Sequence, residues 1–335
     1  MNVLIIGGTG LLGLESAKEL LKRGHNVKTI TLPEIPKELI IPKEMEVIFG
    51  DYETMSDNEL RHHLRNQEGL IFAAGVDERV NHSGDPYEYY KSKNITPLKK
   101  LLRLAKEMKV KSAVICGSYF SYLDRLWENL YLYETHPYIK SRVDQSNEAF
   151  IFADRNFAVT VLELPYIFGV QEGRKPVWVF LIEQIKRMKC ITFYPKGGTA
   201  MITVHQAGQA IASSLETAKG SKMFPVGYYN MTWKKMLRII HKALGTPKKP
   251  IISISKAIYK LAMIKYKRKF KKNNINTGLN LSKLPDIMTR RAYIDSKYVK
   301  DFLKVKEDNI EKAITDSVKL SLEYINEEEN FVEMK

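Results

Sequence analysis

Tyr138 and Arg142, in the segment PYIKSR (137–142), have the spacing that proton transfer would need. Residues four apart lie on one face of a helix, so the phenol and the guanidinium would be neighbours. A phenol beside a fixed cation can exchange a proton with a substrate hydroxyl. Lys140 lies about 200° around the helix from the tyrosine and is poorly placed for this role. The segment is open to three interpretations: an active site in which one member has been replaced, an active site that has lost its activity, or an ordinary helix.

The segment GGTGLLG (7–13) has glycines at every third position, directly after a strand-like run and at the start of a helix. Gly7 permits the tight turn, Gly10 lets a pyrophosphate approach backbone N–H groups, and Gly13 lets the helix pack close to the strand. This context predicts a dinucleotide-binding loop, and a purely structural turn is the alternative. The predicted cradle consists of Gly7, Thr9, Gly10, Leu11, Leu12 and Gly13.

The end of the second strand-like segment bears on which dinucleotide binds. An acid there would hold the ribose hydroxyls, and a basic residue would accommodate a 2′-phosphate. This chain has Thr31, Leu32 and Pro33 instead. Thr31 could hydrogen-bond a ribose hydroxyl, and no arginine is placed for a phosphate. We therefore expect NAD, with NADP as the open alternative.

Strand-like and helix-like segments alternate through the first half of the chain and would position these residues. Apolar runs predict strands at 2–7, 26–32, 45–51, 68–75, 112–118 and 157–165. Helices are predicted between them at 11–24, 57–66, 96–110 and 137–155, and later at 177–188, 206–218, 231–245 and 309–325. Continuous apolar strands separated by helices predict an α/β fold with a doubly wound parallel sheet covered on both faces.

The bulk composition is that of a globular protein, with 335 residues, 44% apolar and 27% charged. No apolar run approaches the roughly 18 residues needed to span a bilayer. The first strand begins at Asn2, which leaves no room for a signal peptide. Two cysteines are too few for a disulfide framework, and the apolar surroundings of Cys116 and Cys190 predict buried thiols. These features favour the cytoplasm.

Several segments, in order, resemble motifs of the extended short-chain dehydrogenase/reductase family, which includes NAD-dependent epimerases and dehydratases. GGTGLLG resembles the family's glycine loop, FGD (49–51) its third-strand motif and FAAG (72–75) its fourth-strand motif. NITPLKKLL (94–102), GSYFSYL (117–123), PYIKSR and ELPYIFG (163–169) resemble the segments that follow. The match runs from residue 2 to about 232. The order of the motifs is more specific than any one of them.

The resemblance implies hydride transfer with NAD on a hydroxyl or keto group of a nucleotide-sugar-like substrate. Tyr138 would be the acid/base, Ser118 would position the hydroxyl, and Arg142 would replace the lysine that holds the nicotinamide ribose. Further implied cofactor contacts are Asp51, Tyr52, Ala73, Ala74, Gly75, Pro165 and Ile167. No metal is expected. Family members often pair through two helices, here 96–110 and 137–155, so a homodimer is expected.

The family's architecture implies a Rossmann-type domain followed by a smaller C-terminal substrate-binding domain. The dinucleotide-binding domain would comprise residues 1–165, with 202–230 returning to it. Residues 166–201 and 231–335 would form the substrate-binding region. The resemblance is weak in the last third of the chain, so the sequence defines that part least.

Several positions depart from the family pattern and mark a divergent branch. Arg142 keeps the positive charge of the lysine, but its guanidinium is larger, planar and always protonated. A second hypothesis therefore stays open, namely a cofactor-binding sensor or scaffold that has lost turnover. The other departures are Tyr119-Phe120 in place of the dehydratases' Asp-Glu pair, Glu163 in place of arginine, and His205-Gln206 in place of two acids.

The run KAIYKLAMIKYKRKFKKNN (256–274) carries eight lysines and arginines and no acid, within a chain of net charge +15. Apolar residues such as Ile258, Leu261 and Ile264 are interleaved with the cations. Three interpretations stay open: a solvated helix that covers the substrate pocket, a segment on an anionic membrane surface, or a nucleic-acid-binding segment.

Overall fold

Strands and helices alternate along the chain in the computed structural model, which describes residues 1–80, 82, 84–273, 275–327 and 331–332. The strands are β1 (Asn2–Ile6), β2 (Asn26–Thr31), β3 (Glu46–Phe49), β4 (Gly69–Phe72), β5 (Ser112–Ser118), β6 (Ala158–Leu164), β7 (Tyr166–Phe168), β8 (Thr192–Pro195), β9 (Gly198–Thr203), β10 (Ser221–Pro225), β11 (Tyr229–Thr232), β12 (Ile251–Ile254) and β13 (Arg291–Ala292). The helices are α1 (Leu11–Lys22), α2 (Asp57–Leu64), α3 (Pro86–Tyr90), α4 (Thr96–Glu107), α5 (Tyr119–Leu126), α6 (Leu132–Thr135), α7 (Pro137–Phe150), α8 (Val179–Arg187), α9 (Val204–Glu216), α10 (Trp233–Ala243), α11 (Lys256–Lys272), α12 (Leu284–Met288) and α13 (Ile310–Asn326). Short π-helical turns occupy Lys91–Ile95 and Tyr298–Phe302.

Seven parallel strands form the main sheet, in the order β10–β6–β5–β4–β1–β2–β3. Every residue of β4 and β6 is buried, because these mainly apolar strands lie inside the sheet with helices on both faces. Helices α1 and α9 cover one face, and α2, α4 and α7 cover the other. The predicted α/β, doubly wound, Rossmann-type sheet is therefore confirmed.

Two smaller sheets form after β6. Strand β9 pairs with β7, β11 and β13, and β8 pairs with β12. Helices α8, α10 and α13 pack around a separate apolar core that includes Trp178 and Trp233. Strand β10 lies within 202–230 and joins the main sheet beside β6. The boundaries of the two domains stay a prediction.

Some local predictions differ from the structure. Helix α7 ends at Phe150 rather than 155, and in the turn that follows the Asp154 carboxylate accepts the N–H groups of Asn156 and Phe157. The prediction of a buried thiol was wrong for Cys190, which lies exposed between α8 and β8. Cys116 is buried, and burial raises the pKa of its thiol to about 12. Among the helices of the described ranges, none combines the length and the apolar character that crossing a membrane requires.

Candidate active site

The residues predicted to form the site follow the carboxyl ends of neighbouring parallel strands. Gly7 follows β1, Ala73 follows β4, Ser118 ends β5 and Pro165 follows β6. These four strands are adjacent in the sheet, so the residues after them come to one edge. A Cβ added at Gly7 would lie 3.2 Å from the Ala73 carbonyl oxygen, which shows how closely the segment after β1 approaches the segment after β4.

The glycine loop leaves no room for side chains at its crossing point. Gly7 has a φ of +83°, and its carbonyl accepts the Gly10 N–H at 3.0 Å. A Cβ at Gly13 would lie 2.2 Å from the Gly7 carbonyl oxygen, well inside contact distance. Gly10 precedes α1, so the N–H groups of the first turn, including those of Leu11 and Leu12, have no acceptor within the helix. Such a turn can bind an anion.

Gln171 joins the glycine loop and was missed by the sequence analysis. Its Nε2 donates to the Thr9 carbonyl at 2.7 Å, and its buried Oε1 has no hydrogen-bond partner among the described residues. The Thr9 hydroxyl shares a hydrogen bond with the Thr31 hydroxyl. A hydroxyl oxygen has two acceptor sites, so the bond to Thr9 leaves Thr31 able to bind a ribose hydroxyl. That contact stays a prediction. A lone glutamine after Pro165 carries no sequence signal, because its role depends on the path of the returning loop.

Asn94 holds the segment that follows β4. Its Oδ1 accepts the Val76 N–H at 2.8 Å, and its Nδ2 donates to the Val76 carbonyl at 3.0 Å. Gly75 has a φ of +114°, and a Cβ there would lie 2.4 Å from the Asn94 Oδ1. Ala73 and Ala74 are half-buried. The segment is therefore fixed on one side by Asn94 and partly accessible, and its cofactor contacts stay a prediction.

Asp51 and Tyr52 follow β3, beyond the glycine loop. The Asp51 Oδ1 accepts the Glu53 N–H at 2.9 Å, which shapes the turn after the strand. The Tyr52 ring meets the Phe72 ring edge-on, with 6.0 Å between the ring centres. Burial raises the pKa of the Tyr52 phenol, so this residue is a neutral packing surface at the sheet edge. Contacts from these two residues to an adenine also stay a prediction.

Arg142 donates from Nε to the Tyr138 hydroxyl oxygen at 3.0 Å. Its Nη1 donates to Gln145 Oε1 at 2.8 Å, and the Gln145 Nε2 donates to the Asn94 carbonyl at 2.7 Å. Tyr138 is 2% exposed and Arg142 is 8% exposed. This chain of hydrogen bonds fixes the guanidinium beside the phenol and ties α7 to the segment before α4.

The environment of Tyr138 keeps its phenol protonated at neutral pH. Burial raises the pKa of Tyr138, and the charge and hydrogen bond of Arg142 oppose that increase. Lys140 lies elsewhere: its Nζ is 4.4 Å from the centre of the Tyr87 ring and 5.5 Å from that of Tyr133. The prediction that Lys140 is poorly placed to replace Arg142 is confirmed.

Aromatic rings lie between Ser118 and Tyr138. Ser118 caps α5, and its Oγ accepts the Phe120 N–H at 3.4 Å. The Phe120 ring meets the Tyr138 ring edge-on at 6.0 Å between centres, and the Tyr90 ring does so at 5.2 Å. The contacts of these two rings with Tyr138 were not predicted, because Phe120 and Tyr90 come from helices distant from α7 in sequence. The described residues thus gather Ser118 and Tyr138 around Phe120, with no direct hydrogen bond between them.

A charged triplet, Asp77-Glu78-Arg79, lies beside the tyrosine and was also missed. Arg79 forms an ion pair with Asp77 and donates to the Val177 carbonyl. Its guanidinium carbon lies 5.5 Å from the centre of the Phe180 ring. Burial raises the pKa of Glu78, and the charge of Asp77 raises it further. Three charged residues directly after an apolar strand and a glycine were the available sequence signal.

The segment 276–280 crosses the start of α7 and covers the tyrosine. The Gly278 carbonyl accepts the Tyr138 N–H at 2.9 Å. The Asn280 N–H donates to His136 Nδ1 at 3.0 Å. Burial lowers the pKa of His136 to about 4, so its ring is neutral and can accept this bond. His136 therefore joins the covering segment to α7.

Two departures from the family pattern have local partners. Glu163 is fully buried and pairs with Arg125 at 2.7 Å, and the Ser121 hydroxyl donates to it at 2.7 Å. His205 lies 2.6 Å from a carboxylate oxygen of Glu15. The first pair therefore joins β6 to α5, and the second joins α9 to α1. Within the described part of the chain, no three His, Cys, Asp or Glu side chains gather as a metal ion would need.

Comparisons with known proteins agree with this architecture. A curated UDP-glucose 4-epimerase of Klebsiella pneumoniae is 29% identical over 133 residues, which is 37% of this chain and 94% of that protein. The solved structure of gox2253 superposes with a TM-score of 0.75 at 17% identity, over 98% of this chain and 99% of the other. MoeE5 in complex with UDP-glucose and NAD gives 0.67 at 15% identity, over 97% and 100%. At these identities the two solved structures show a shared fold. The sequence pattern of the NAD dependent epimerase/dehydratase family matches residues 3–204, and this chain belongs to that family.

Proposed function

We propose that this chain transfers hydride between NAD and a hydroxyl or keto group of a nucleotide sugar, with Tyr138 as acid/base. The observation that carries the proposal is the 3.0 Å hydrogen bond from Arg142 Nε to the buried Tyr138 hydroxyl. The substrate class is supported by the Klebsiella pneumoniae relative, a UDP-glucose 4-epimerase, and by MoeE5, which was solved with UDP-glucose and NAD. Because Arg142 and Glu163 depart from the family pattern, the proposal names the substrate class and not a particular sugar.

The residues around the glycine loop fit NAD. The first turn of α1 offers N–H groups to a pyrophosphate, and Gly13 lets the helix pack against the loop. The buried Oε1 of Gln171, beside Thr9, is an acceptor that a hydroxyl or amide of the cofactor would satisfy. When bound, NAD would supply the acceptor or donor of hydride for the substrate carbon.

The side chains of this site would move the proton that accompanies the hydride. In the reduction direction, the Tyr138 phenol would give its proton to the substrate oxygen and become a phenolate, and in the oxidation direction that phenolate would take the proton of the substrate hydroxyl. Arg142 would stabilise this phenolate through its charge and its Nε–H. Ser118, at the end of β5, would hydrogen-bond the same substrate oxygen.

Tyr138→Phe tests the proposal, because it removes the proton donor and keeps the ring. We expect turnover of UDP-glucose or UDP-glucuronic acid to fall by about 10²- to 10⁴-fold, while NAD still binds. Tyr131→Phe is the matched control, since Tyr131 is 64% exposed and its loss should leave the rate unchanged. Turnover by the Tyr138→Phe variant at the native rate would contradict the assigned role.

A cofactor-binding sensor or scaffold without turnover is the second candidate. The observation that favours it is that the segment 276–280 covers Tyr138. The Tyr138 N–H donates to the Gly278 carbonyl, and the Tyr138 side chain is 2% exposed. Titration with NADH, followed by its fluorescence, separates the two candidates. Tight binding without hydride exchange across a panel of nucleotide sugars and alcohols would support the sensor, and measurable exchange would dismiss it.

The expected homodimer and the expected cytoplasmic location stay proposals. Helices α4 and α7, the pair expected at the dimer interface, are already joined within one chain by the ion pair of Lys99 with Glu148 at 2.7 Å. Sedimentation equilibrium of the purified protein would distinguish a dimer of this chain from a monomer. Fractionation of cells that express the full chain would locate it.

A further inference from the structure

Helix α11 is attached to the rest of the protein along one side only. Of its 17 residues, Met263 is the buried one, and Tyr259 is half-buried. Burial raises the pKa of the Tyr259 phenol to about 12. Lys256 and Lys260 pair with Asp286 of α12 at the start of the helix. The inward side is therefore narrow, and most of the helix surface faces solvent.

The outward side of α11 carries apolar residues on successive turns. Ile258, Leu261 and Ile264 are 53%, 68% and 47% exposed. A spacing of three residues places them within roughly 120° of the helix circumference. Large apolar side chains exposed in a row, on a helix that its own fold barely buries, indicate a surface that another body covers.

Cations occupy the same side of the helix. Lys265 and Arg268 lie seven residues after Ile258 and Leu261, so they share the same arc, as does Lys272. All three are exposed. Across the described part of the chain, Asp286 is the one carboxylate that pairs with α11, and it pairs at the start of the helix. Asn274, at the end of the basic run, lies outside the described residues. The outward face is thus apolar in its first half and cationic in its second.

We propose that the outward face of α11 binds the surface of an anionic phospholipid bilayer, with the helix lying in the plane of the interface. Aliphatic side chains would enter the boundary between headgroups and acyl chains, and the lysines and arginine would bind the phosphates. The net charge of +15 adds a long-range attraction to such a surface. A nucleic acid would attract the cations but would leave Ile258, Leu261 and Ile264 exposed to water, so a bilayer fits the whole face better.

The proposed membrane face lies next to the candidate active site. The inward side of α11 packs on α12 through the pairs with Asp286. Ile287 of α12 belongs to the same apolar cluster as Tyr138. Membrane binding would therefore hold the tyrosine pocket close to the lipid surface. The docking itself does not rest on the proposed chemistry, since it can be measured without substrate.

Vesicle sedimentation with the full chain tests the proposal. The native protein should sediment with vesicles of phosphatidylcholine mixed with phosphatidylglycerol, and should stay in solution with pure phosphatidylcholine. A cation near an anionic leaflet contributes about fivefold to binding, so replacing three predicts about a hundredfold loss. The charge variant combines Lys265→Gln, Arg268→Gln and Lys272→Gln.

The apolar variant separates a bilayer from other anionic partners. Ile258→Ser, Leu261→Ser and Ile264→Ser together should weaken sedimentation with the anionic vesicles by more than tenfold, because the aliphatic groups no longer enter the interface. All six substituted side chains are exposed, so circular dichroism should show native folding in both variants. The matched control removes the exposed cations of α10, which are Lys234, Lys235 and Arg238.

Each outcome decides the proposal. Loss of vesicle binding in both α11 variants, with binding retained in the α10 control, supports it. Equal loss in the α10 control would assign the binding to net charge and overturn it. Loss in the charge variant alone, together with salt-sensitive binding of RNA or of an acidic protein, would replace the bilayer by that partner. Absence of native binding to anionic vesicles would also overturn it.

Discussion

The glycine loop and α11 differ in how tightly the rest of the chain holds them. In the loop, a single Cβ at Gly13 would lie 2.2 Å from a backbone oxygen, and Thr9 is buried. In α11, one residue of 17 is buried and three large aliphatic side chains are exposed. Close backbone contacts determine the conformation of the loop, whereas most side chains of α11 are exposed to solvent.

This difference explains why one region can be interpreted from the sequence and the other cannot. Close backbone approach needs glycine, so a rigid cradle appears in the sequence as spaced glycines after an apolar run. A surface helix needs no particular residue for its fold. Its composition shows which residues are charged and which are apolar. The partner that could cover the helix depends on which of these side chains are exposed, and only the structure shows that.

Gly13→Ala is the strongest test of the rigid end of this comparison. The added methyl group would collide with the Gly7 carbonyl, so the loop or α1 must move. We expect a loss of about 3 kcal/mol in the free energy of unfolding, measured in urea, and loss of NAD binding. Gly24→Asn is the control, because nothing lies within 4 Å of that position and asparagine tolerates its positive φ. A Gly13→Ala variant as stable as the control would refute the tight packing.

Arg142 lies on α7, beside Tyr138, and belongs to neither of the two regions. Arg142→Gln removes the charge beside Tyr138, and we expect kcat to fall by about 10²-fold or more. Arg142→Lys should lose less, because the charge returns but the bond to Gln145 Oε1 does not. Steady-state rates with a nucleotide sugar measure both, and Lys140→Gln serves as a neutral control. A faster Arg142→Lys variant would mean that the native site is impaired by its arginine.

The sheet could be predicted because its strands obey one local rule. The inner strands are mainly apolar, and β4 and β6 are buried at every residue. The helices between them follow from periodicity. Helices α5 and α6, within residues 119–136, were not predicted, because they are only 8 and 4 residues long and give a short periodic signal.

The geometry of the candidate site was predictable where a contact joins residues close in sequence. Tyr138 and Arg142 meet through their helical spacing, as expected. Gln171 and Gly278 were missed because each reaches the site through a long connection: Gln171 contacts Thr9, and Gly278 contacts Tyr138. Contacts between residues more than 100 positions apart depend on the whole topology, and no local pattern contains them.

His136 makes the contact between α7 and the covering segment sensitive to acid. Its Nδ1 accepts the Asn280 N–H, so a protonated ring, which only donates, would break this bond. Burial holds the pKa of His136 at about 4, below the 6.5 of the unfolded chain, with Asp286 raising it and Lys283 lowering it. The unfolded chain therefore binds more protons between these values, and stability falls as the pH drops from about 6.5 to about 4.

We expect this histidine to cost about 2 kcal/mol of unfolding free energy at pH 5 relative to pH 8. His136→Asn keeps an acceptor near the Nδ1 position and does not titrate, so it should remove that part of the pH dependence. Urea unfolding of both proteins at the two pH values measures the difference. An unchanged pH dependence in the variant would mean that other groups dominate acid stability and that the junction is not acid-sensitive.

Leu261→Ser tests how loosely α11 is held, and it has the smallest expected effect on the free energy of unfolding. Leu261 is 68% exposed, so its replacement should change the free energy of unfolding by no more than about 0.5 kcal/mol. Leu237→Ser, on the neighbouring helix α10, removes a fully buried side chain and should cost about 3 kcal/mol or more. The two variants make the same chemical change on two helices, so the difference measures packing alone. Similar losses would mean that this chain itself covers the outer face of α11, and no surface would remain there for a bilayer.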